Sequence, residues 1–256
     1  ESTYGDRVHP DFAGTDDALA KIINDTISRE GRVYIPTFAL ERAQEVLFAL
    51  ERLHERGSGP DVPFYIDSPL AISITEIYKL HPESLSAEVR ERIISRNAPF
   101  SPPRLKYIAE VEDSIALQDS QEPCIIIAGS GMCEGGRIVH HLRRALPHPK
   151  NSVVIVGFMA QHTLGRRLLE GRKSVRVLGV ERDVHARVHQ LEGLSAHADH
   201  DDLIEFARGL AERGNLQKVV LVHGEPEPRE NLANELRERG IGNKIISPMP
   251  GDVLEL

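Results

Sequence analysis

Pro123-Cys-Ile-Ile-Ile-Ala128 is apolar at every position from Cys124 onward. A strand with one wet face alternates apolar and polar residues, so an unbroken run of this length suits a strand covered on both faces. Arg32-Val-Tyr-Ile-Pro36, Pro63-Phe-Tyr-Ile-Asp67, Ser152 to Gly157 and Lys218 to His223 read the same way. Helical patterns separate the first of these. Thr15 to Glu30 sets Leu19, Ile22, Ile23 and Ile27 on one face, and Ala39 to Arg56 ends at Gly57, a natural helix stop. Parallel neighbours need crossover connections, so the alternation predicts an α/β fold built on a mainly parallel sheet.

Further along, the pattern changes. Ser174 to Val180 and Val184 to Leu191 read as two strands of a hairpin around the polar turn Glu181-Arg-Asp183. Leu194-Ser-Ala-His-Ala-Asp-His200 follows, then a helix from Asp201 to Arg213, the strand ending at His223 and a last helix from Pro226 to Arg239. A second layer begins near residue 190. The Pro-rich stretch Ala98 to Arg104 reads as a surface loop, and no internal repeat is visible.

A chain of 256 residues holds one large domain or two modest ones with an ordinary core. Its longest aliphatic runs are far too short to cross a bilayer, and no membrane partner is expected. Glu1-Ser-Thr-Tyr-Gly5 has neither an initiator Met nor a secretion-signal pattern, so the chain is expected to begin mid-protein. Two cysteines, Cys124 and Cys133, without a Cys-x-x-Cys pair exclude a disulfide framework and a thiolate zinc finger. A reducing cytoplasm fits. The net charge of −8 argues against a globally basic nucleic-acid binder. From Gly135 to Leu169, however, there is no acid, while Arg137, Arg143, Arg144, Lys150, Arg166 and Arg167 all fall there. That stretch is either a local electropositive surface or an ordinary solvated face.

Three clusters carry chemistry. Ser195-Ala-His197-Ala-Asp199-His200 has His and Asp at spacings that converge on a metal or a phosphate, with Ser195 standing where a His-x-His-x-Asp-His motif would have its first His. The competing reading is a helix start capped by Ser195 or Asp199. His223, in Val219-Val-Leu-Val-His223-Gly-Glu225, ends an apolar strand, where α/β proteins place ligands, although a packing histidine fits equally well. Glu1-Ser-Thr-Tyr-Gly5-Asp-Arg-Val-His9 is dense in acid, hydroxyl and imidazole groups.

In that order and about two hundred residues apart, Glu-Ser-Thr-Tyr-Gly, Ser-Ala-His-Ala-Asp and Val-His-Gly-Glu resemble motifs A, B and C of the β-CASP branch of the metallo-β-lactamase superfamily. Pro36-Thr-Phe-Ala-Leu-Glu-Arg-Ala-Gln-Glu45, Asp67-Ser-Pro-Leu-Ala71, Gly129-Ser-Gly-Met132 with Gly135-Gly136, and Thr163-Leu-Gly-Arg166 match the same family between the motifs. His162, before Thr163, departs from the small or acidic residue usual there.

The resemblance implies a β-CASP domain over residues 5–192. Residues 1–4 and 193–256 would be the C-terminal portion of a metallo-β-lactamase αββα sandwich whose N-terminal portion lies outside the chain. It implies a hydrolase with two zinc ions that cuts single-stranded RNA, internally or from the 5′ end, by attack of a metal-generated hydroxide. Most of the metal ligands belong to the half not present here, which would be a required partner; a homodimer is left open. His223 is implied as a zinc ligand, His197 as an acid-like group near the scissile phosphate, and Glu1 as the carboxylate that orients it. Ser195, Ser130, Gly131 and Arg166 are candidate substrate contacts, since glycines let backbone amides approach anions, and the cationic stretch would line a cleft for the strand. Glu at motif A and His at motif C favour RNA over DNA. The alternatives are a non-catalytic RNA-binding or scaffolding module and a lactamase-fold hydrolase of small molecules. Without its other half, the helices over 201–213 and 226–239 are expected to leave apolar faces exposed.

Overall fold

The computed structural model describes residues 1–10, 12–95, 99–214 and 216–254. Two compact units emerge, one spanning Asp11–Leu194 and one assembled from Glu1–Pro10 and Ser195–Leu256. No described helix is long and apolar enough to cross a membrane.

The larger unit runs α1 (Phe12–Ser28), β1 (Val33–Pro36), α2 (Arg42–Glu55), β2 (Phe64–Ile66), α3 (Pro69–Leu80), α4 (Ala87–Ile94), β3 (Leu105–Tyr107), α5 (Val111–Asp119) and β4 (Ile125–Ala128). It continues through α6 (Gly136–Ala145), β5 (Ser152–Ile155), α7 (Leu164–Leu169), β6 (Ser174–Val177), β7 (Val180–Asp183) and β8 (Arg187–Gln190). Six strands form one sheet in the order β3-β2-β4-β1-β5-β8, with every pairing parallel. The α/β expectation is met, and the reason lies in β4. All four of its residues are buried. Ile125 and Ile127 enter a core shared with Leu19, Ile23, Leu47 and Leu50, whereas Ile126 and Ala128 face Ile138 and Leu142 on the other side. Successive strand side chains point to opposite faces, so two-sided cover requires an apolar residue at each position. Each such isoleucine contributes about 1.5–3 kcal/mol of burial.

Helix starts follow local chemistry. Ser68 accepts a hydrogen bond from the Ala71 amide (3.3 Å) and is followed by Pro69 in the first turn of α3. The second helix begins at Arg42 rather than Ala39, because Glu41 sits at φ 67°, which a right-handed helix cannot include.

One expectation fails. The segment Glu181-Arg-Asp183 is not a turn; it lies in β7, which pairs antiparallel with β6, and the hairpin reverses at Leu178-Gly179. Both turn residues have positive φ (50° and 76°), the geometry that matches the twist of flanking strands, and Gly179 adopts it without cost. Polar residues in β7 mark an exposed strand instead of a loop. The second predicted strand, β8, joins the large sheet beside β5. The Pro-rich loop is seen from Pro99 onward, ending at Arg104 before β3; Ala98 lies outside the described residues.

The smaller unit holds α8 (His200–Arg213), β9 (Lys218–Val220), α9 (Pro226–Glu238) and β10 (Lys244–Ile246), with β9 and β10 parallel. Its core is Ile204, Leu221, Leu232, Leu236 and Ile241. On α8, Phe206 and Leu210 remain exposed, at 69% and 43% of their surface. No comparably large apolar side chain of α9 is exposed, because Leu232, Ala233 and Leu236 all turn into that core.

Candidate active and metal-binding site

The site grows from the end of β9. Leu221 continues the ladder by donating its amide to Ile246 (2.9 Å), after which the backbone turns into the left-handed region at His223 (φ 52°). Gly224 follows because the segment Glu1–Tyr4 packs there: a Cβ at Gly224 would lie 2.4 Å from Ser2 Oγ. Ser2 clamps the turn, its amide donating to the His223 carbonyl (3.0 Å) and its hydroxyl to the Val222 carbonyl (3.1 Å).

Thr3 then organises two imidazoles. Its Oγ1 is 3.1 Å from Nδ1 of His223 and 3.5 Å from Nδ1 of His197. The Thr3 hydroxyl is also 3.3 Å from the His223 carbonyl, to which it donates. Its lone pairs are thereby left to accept Nδ1–H of His223, the tautomer that keeps the Nε2 lone pair available. The two rings stack at 5.1 Å and 28°. Glu1 completes the cluster: Oε2 accepts from Nδ1 of His197 at 2.5 Å, and Oε1 accepts the Ala198 amide at 3.1 Å. Burial pushes the Glu1 pKa upward, but the Ala198 amide and His197 outweigh it and hold the carboxyl below its ordinary value. Both imidazoles therefore have Nδ1 fixed and Nε2 without a partner among the described residues.

The other residues of the 195–200 cluster perform structural work. Asp199 caps α8 by accepting the Asp202 amide at 3.0 Å, and its second oxygen accepts the His9 amide at 2.9 Å. Burial raises the Asp199 pKa, and these two amides more than offset it, leaving it lowered. His200 opens the helix with Nδ1 2.8 Å from the Gly5 carbonyl. Ser195 Oγ accepts the His197 amide at 3.3 Å. Thus the capping reading holds for Asp199, and of the cluster's side chains His197 is the one that meets Glu1, beside the Ala198 amide. His9 places Nε2 3.0 Å from the His197 carbonyl, with Tyr4 edge-on at 4.6 Å. Thr3 and His9 were not singled out by sequence; their density in the Glu1–His9 stretch was the available signal.

Within the larger unit, Ser130 and Gly131 lie in the loop after β4, and Arg166 in α7. Ser130 Oγ accepts the Gly135 amide (3.2 Å), and a Cβ on Gly131 would meet the Phe38 ring at 2.7 Å. The loop and helix adjoin, since the Gly165 amide donates to the Met132 carbonyl (3.3 Å). The Arg166 guanidinium is engaged by Glu170 (3.3 Å) and the Met159 carbonyl (3.4 Å). The cationic stretch is largely neutralised. Arg137 pairs with Asp67, Arg144 with Asp119, Lys150 with Glu30, Arg166 with Glu170 and Arg167 with Glu134. Glu134 and Glu170 directly flank the stretch, and Asp67, Asp119 and Glu30 come from elsewhere in the sequence, which is why a charge count confined to the stretch overstated the field.

Residues 43–168 match the model of the Beta-Casp domain, and residues 181–248 match that of the Zn-dependent metallo-hydrolase RNA specificity domain. The chain belongs to the β-CASP family. It is 40% identical over 240 residues to a ribonuclease of Thermus thermophilus, covering 94% of this chain and 54% of the relative. It is also 34% identical over 264 residues to the transcription termination factor FttA of Methanocaldococcus jannaschii, covering 100% of this chain and 41% of that protein. For FttA of Pyrococcus horikoshii the identity is 35%, over 40% of that protein. The chain thus spans about half the length of the relatives it matches, or somewhat less.

The β-CASP assignment raises the question of zinc. Glu1, His197 and His223 offer ligand atoms that all lie within 4.8 Å of one another, and no other described residue joins a group of that kind. A four-coordinate zinc takes imidazole and carboxylate donors. His223 fits one such position, with Nδ1 held by Thr3 and Nε2 open, the arrangement in which an outer hydrogen bond orients a ligating histidine. Glu1 is occupied by His197 and Ala198, so the set present supplies part of a coordination shell.

Proposed function

We propose that this chain carries one half of the active site of a zinc-dependent phosphodiesterase that hydrolyses single-stranded RNA. The observation that carries the reading is the pair of stacked imidazoles, His197 held by Glu1 at 2.5 Å and His223 by Thr3 at 3.1 Å, each with Nε2 open. His223 would hold one of two zinc ions, the remaining ligands coming from the half of the protein that relatives carry beyond the span matched here. A zinc pair supplies Lewis acidity and a water acidic enough to ionise near neutral pH.

The chain's own residues do the rest. His197 directs Nε2 at the reacting phosphate, where a protonated ring donates to the departing oxygen as its charge develops. Glu1, its carboxyl held below its ordinary pKa by the Ala198 amide and His197, fixes the ring's orientation. The name of the Thermus relative and the RNA specificity domain support RNA as the substrate. Ser195, beside His197, and the Ser130, Gly131 and Arg166 region are the substrate contacts in this proposal. Cys124 and Cys133, both buried and free, suit the reducing cytoplasm in which we place it. Phe206 and Leu210 of α8 are where we expect the other half of the lactamase fold to pack.

The partial ligand set favours one second reading, an RNA-binding module without catalysis. Zinc content and cleavage of a labelled single-stranded RNA, measured on this chain alone and combined with the other half, separate the two. Zinc and cleavage only in the combination, both lost in His223→Ala, support the nuclease. A combination that binds RNA but stays metal-free and inert sinks it.

A further inference from the structure

A second charged site lies in the larger unit, at the end of the sheet opposite the Ser130–Gly131 loop. That loop follows the C-terminal end of β4, whereas this cleft, of about 400 Å³, opens at the N-terminal ends of β1 and β5. Arg143 and Arg144 enter it from the last turn of α6, His148 from the loop that follows, and Arg182 from β7. Tyr34 and Asn151 form part of its neutral wall, and no carboxylate lines it.

The guanidiniums are unequal. Arg144 pairs with Asp119 outside the cleft, and the side chains of Arg143 and Arg182 have no hydrogen-bond or carboxylate partner among the described residues. Arg182 is only partly exposed, so its charge is half-withdrawn from water without compensation. A chain of net charge −8 supplies acids readily, and five of the six cations of the 135–169 stretch have found them. Two carbonyls at the end of α6, which would oppose an anion, are taken: Ala145 accepts from the His148 amide and the Asn151 side chain, and Leu146, just past the helix, accepts from the His185 and Ala186 amides.

We propose that this cleft is an anion site for phosphate oxygens, with Arg143 and Arg182 as the two forks that grip them. Planar guanidiniums match phosphate bidentately, and two of them converging on one cleft set a spacing that a single diffuse counterion does not need. The site needs neither His197 nor His223 and is independent of any metal. The phosphate comes either from a strand of RNA passing over this end of the sheet or from a free phosphorylated compound.

The test uses two probes on the full chain: inorganic pyrophosphate by calorimetry, and a fluorescent single-stranded oligoribonucleotide by anisotropy across a salt series. Arg143→Ala with Arg182→Ala is expected to weaken binding by about tenfold or more, Arg143→Lys with Arg182→Lys by less, and the exposed Arg90→Ala not at all. Neither Arg143 nor Arg182 holds the fold through a bond, so the melting temperature should not move. Loss of both probes, with the RNA salt slope falling by about 0.7 per arginine removed, identifies the strand as the source. Loss of pyrophosphate alone identifies a free phosphate compound. Affinities within twofold of the unchanged chain for both probes, or no binding by the unchanged chain, would overturn the site.

Discussion

Nδ1 of His197 lies 2.5 Å from the Glu1 carboxylate, joining two residues 196 positions apart in the chain. A carboxylate so placed orients an imidazole. In the proposed nuclease, combined with its other half, Glu1→Gln should lower kcat by about 10–100-fold with little change in KM, as loss of a hydrogen bond that orients a functional histidine does. His197→Ala should lower it by about 10²–10⁴-fold. Because the two act as one unit, the double variant should be no worse than His197→Ala alone. Steady-state kinetics on a defined RNA decides it; full kcat in Glu1→Gln removes the orienting role.

Thr3 is predicted to act on zinc through His223. Thr3→Val keeps the shape but removes the acceptor 3.1 Å from Nδ1, and should weaken zinc affinity about 10–100-fold in a chelator competition. Thr3→Ser should restore most of it. Equal affinities in all three forms would mean that His223 is oriented by its backbone alone.

Asp67 is a fully buried carboxylate of the larger unit, hydrogen-bonded by His141 (2.6 Å), Ser114 (2.6 Å) and Arg137 (2.7 Å). Burial pushes its pKa up, and these three partners outweigh burial and hold it below the usual carboxylate value. A folded-state pKa below the unfolded one contributes stability above the unfolded pKa that is lost as pH falls through the folded value. Melting temperature should therefore drop below about pH 4. Asp67→Asn should cost about 3–5 kcal/mol at neutral pH and flatten that acid limb. An acid limb unchanged in the variant would assign it to other carboxylates.

The adjacent glycines after β4 offer an internal control. Gly136 has φ 67°, and a Cβ there would lie 2.4 Å from the Gly129 carbonyl; around Gly135 nothing lies within 4 Å. Gly136→Ala should destabilise by more than about 1 kcal/mol, while Gly135→Ala stays within about 0.5 kcal/mol. Chemical denaturation reads both, and equal effects would refute the steric account.

Gly136 also shows where sequence reading stops. The pair Gly135-Gly136 was visible as a motif, yet which of the two is obligatory depends on a carbonyl seven residues back. The hairpin makes the same point: the acidic and basic side chains of Glu181-Arg-Asp183 suggested a turn, but an exposed strand tolerates them equally, and the reversal belongs to Leu178-Gly179. Two short strands, β3 and β10, were not anticipated, since three residues give too little alternation to read and much of their surface is solvent-facing.

By itself the sequence determined the parallel sheet, through runs such as Ile125–Ala128 that must be apolar on both faces, and the family, through three motifs in fixed order. Both are properties of residues in order along the chain. Only the tertiary structure decided which groups act together. Thr3 bridges His197 and His223, Asp199 is a cap, and carboxylates from outside the cationic stretch neutralise most of it while the side chains of Arg143 and Arg182 stay unpaired among the described residues. Hydrogen bonds and ion pairs act over about 3–4 Å, and residues nearly two hundred positions apart reach that separation only after the backbone has folded.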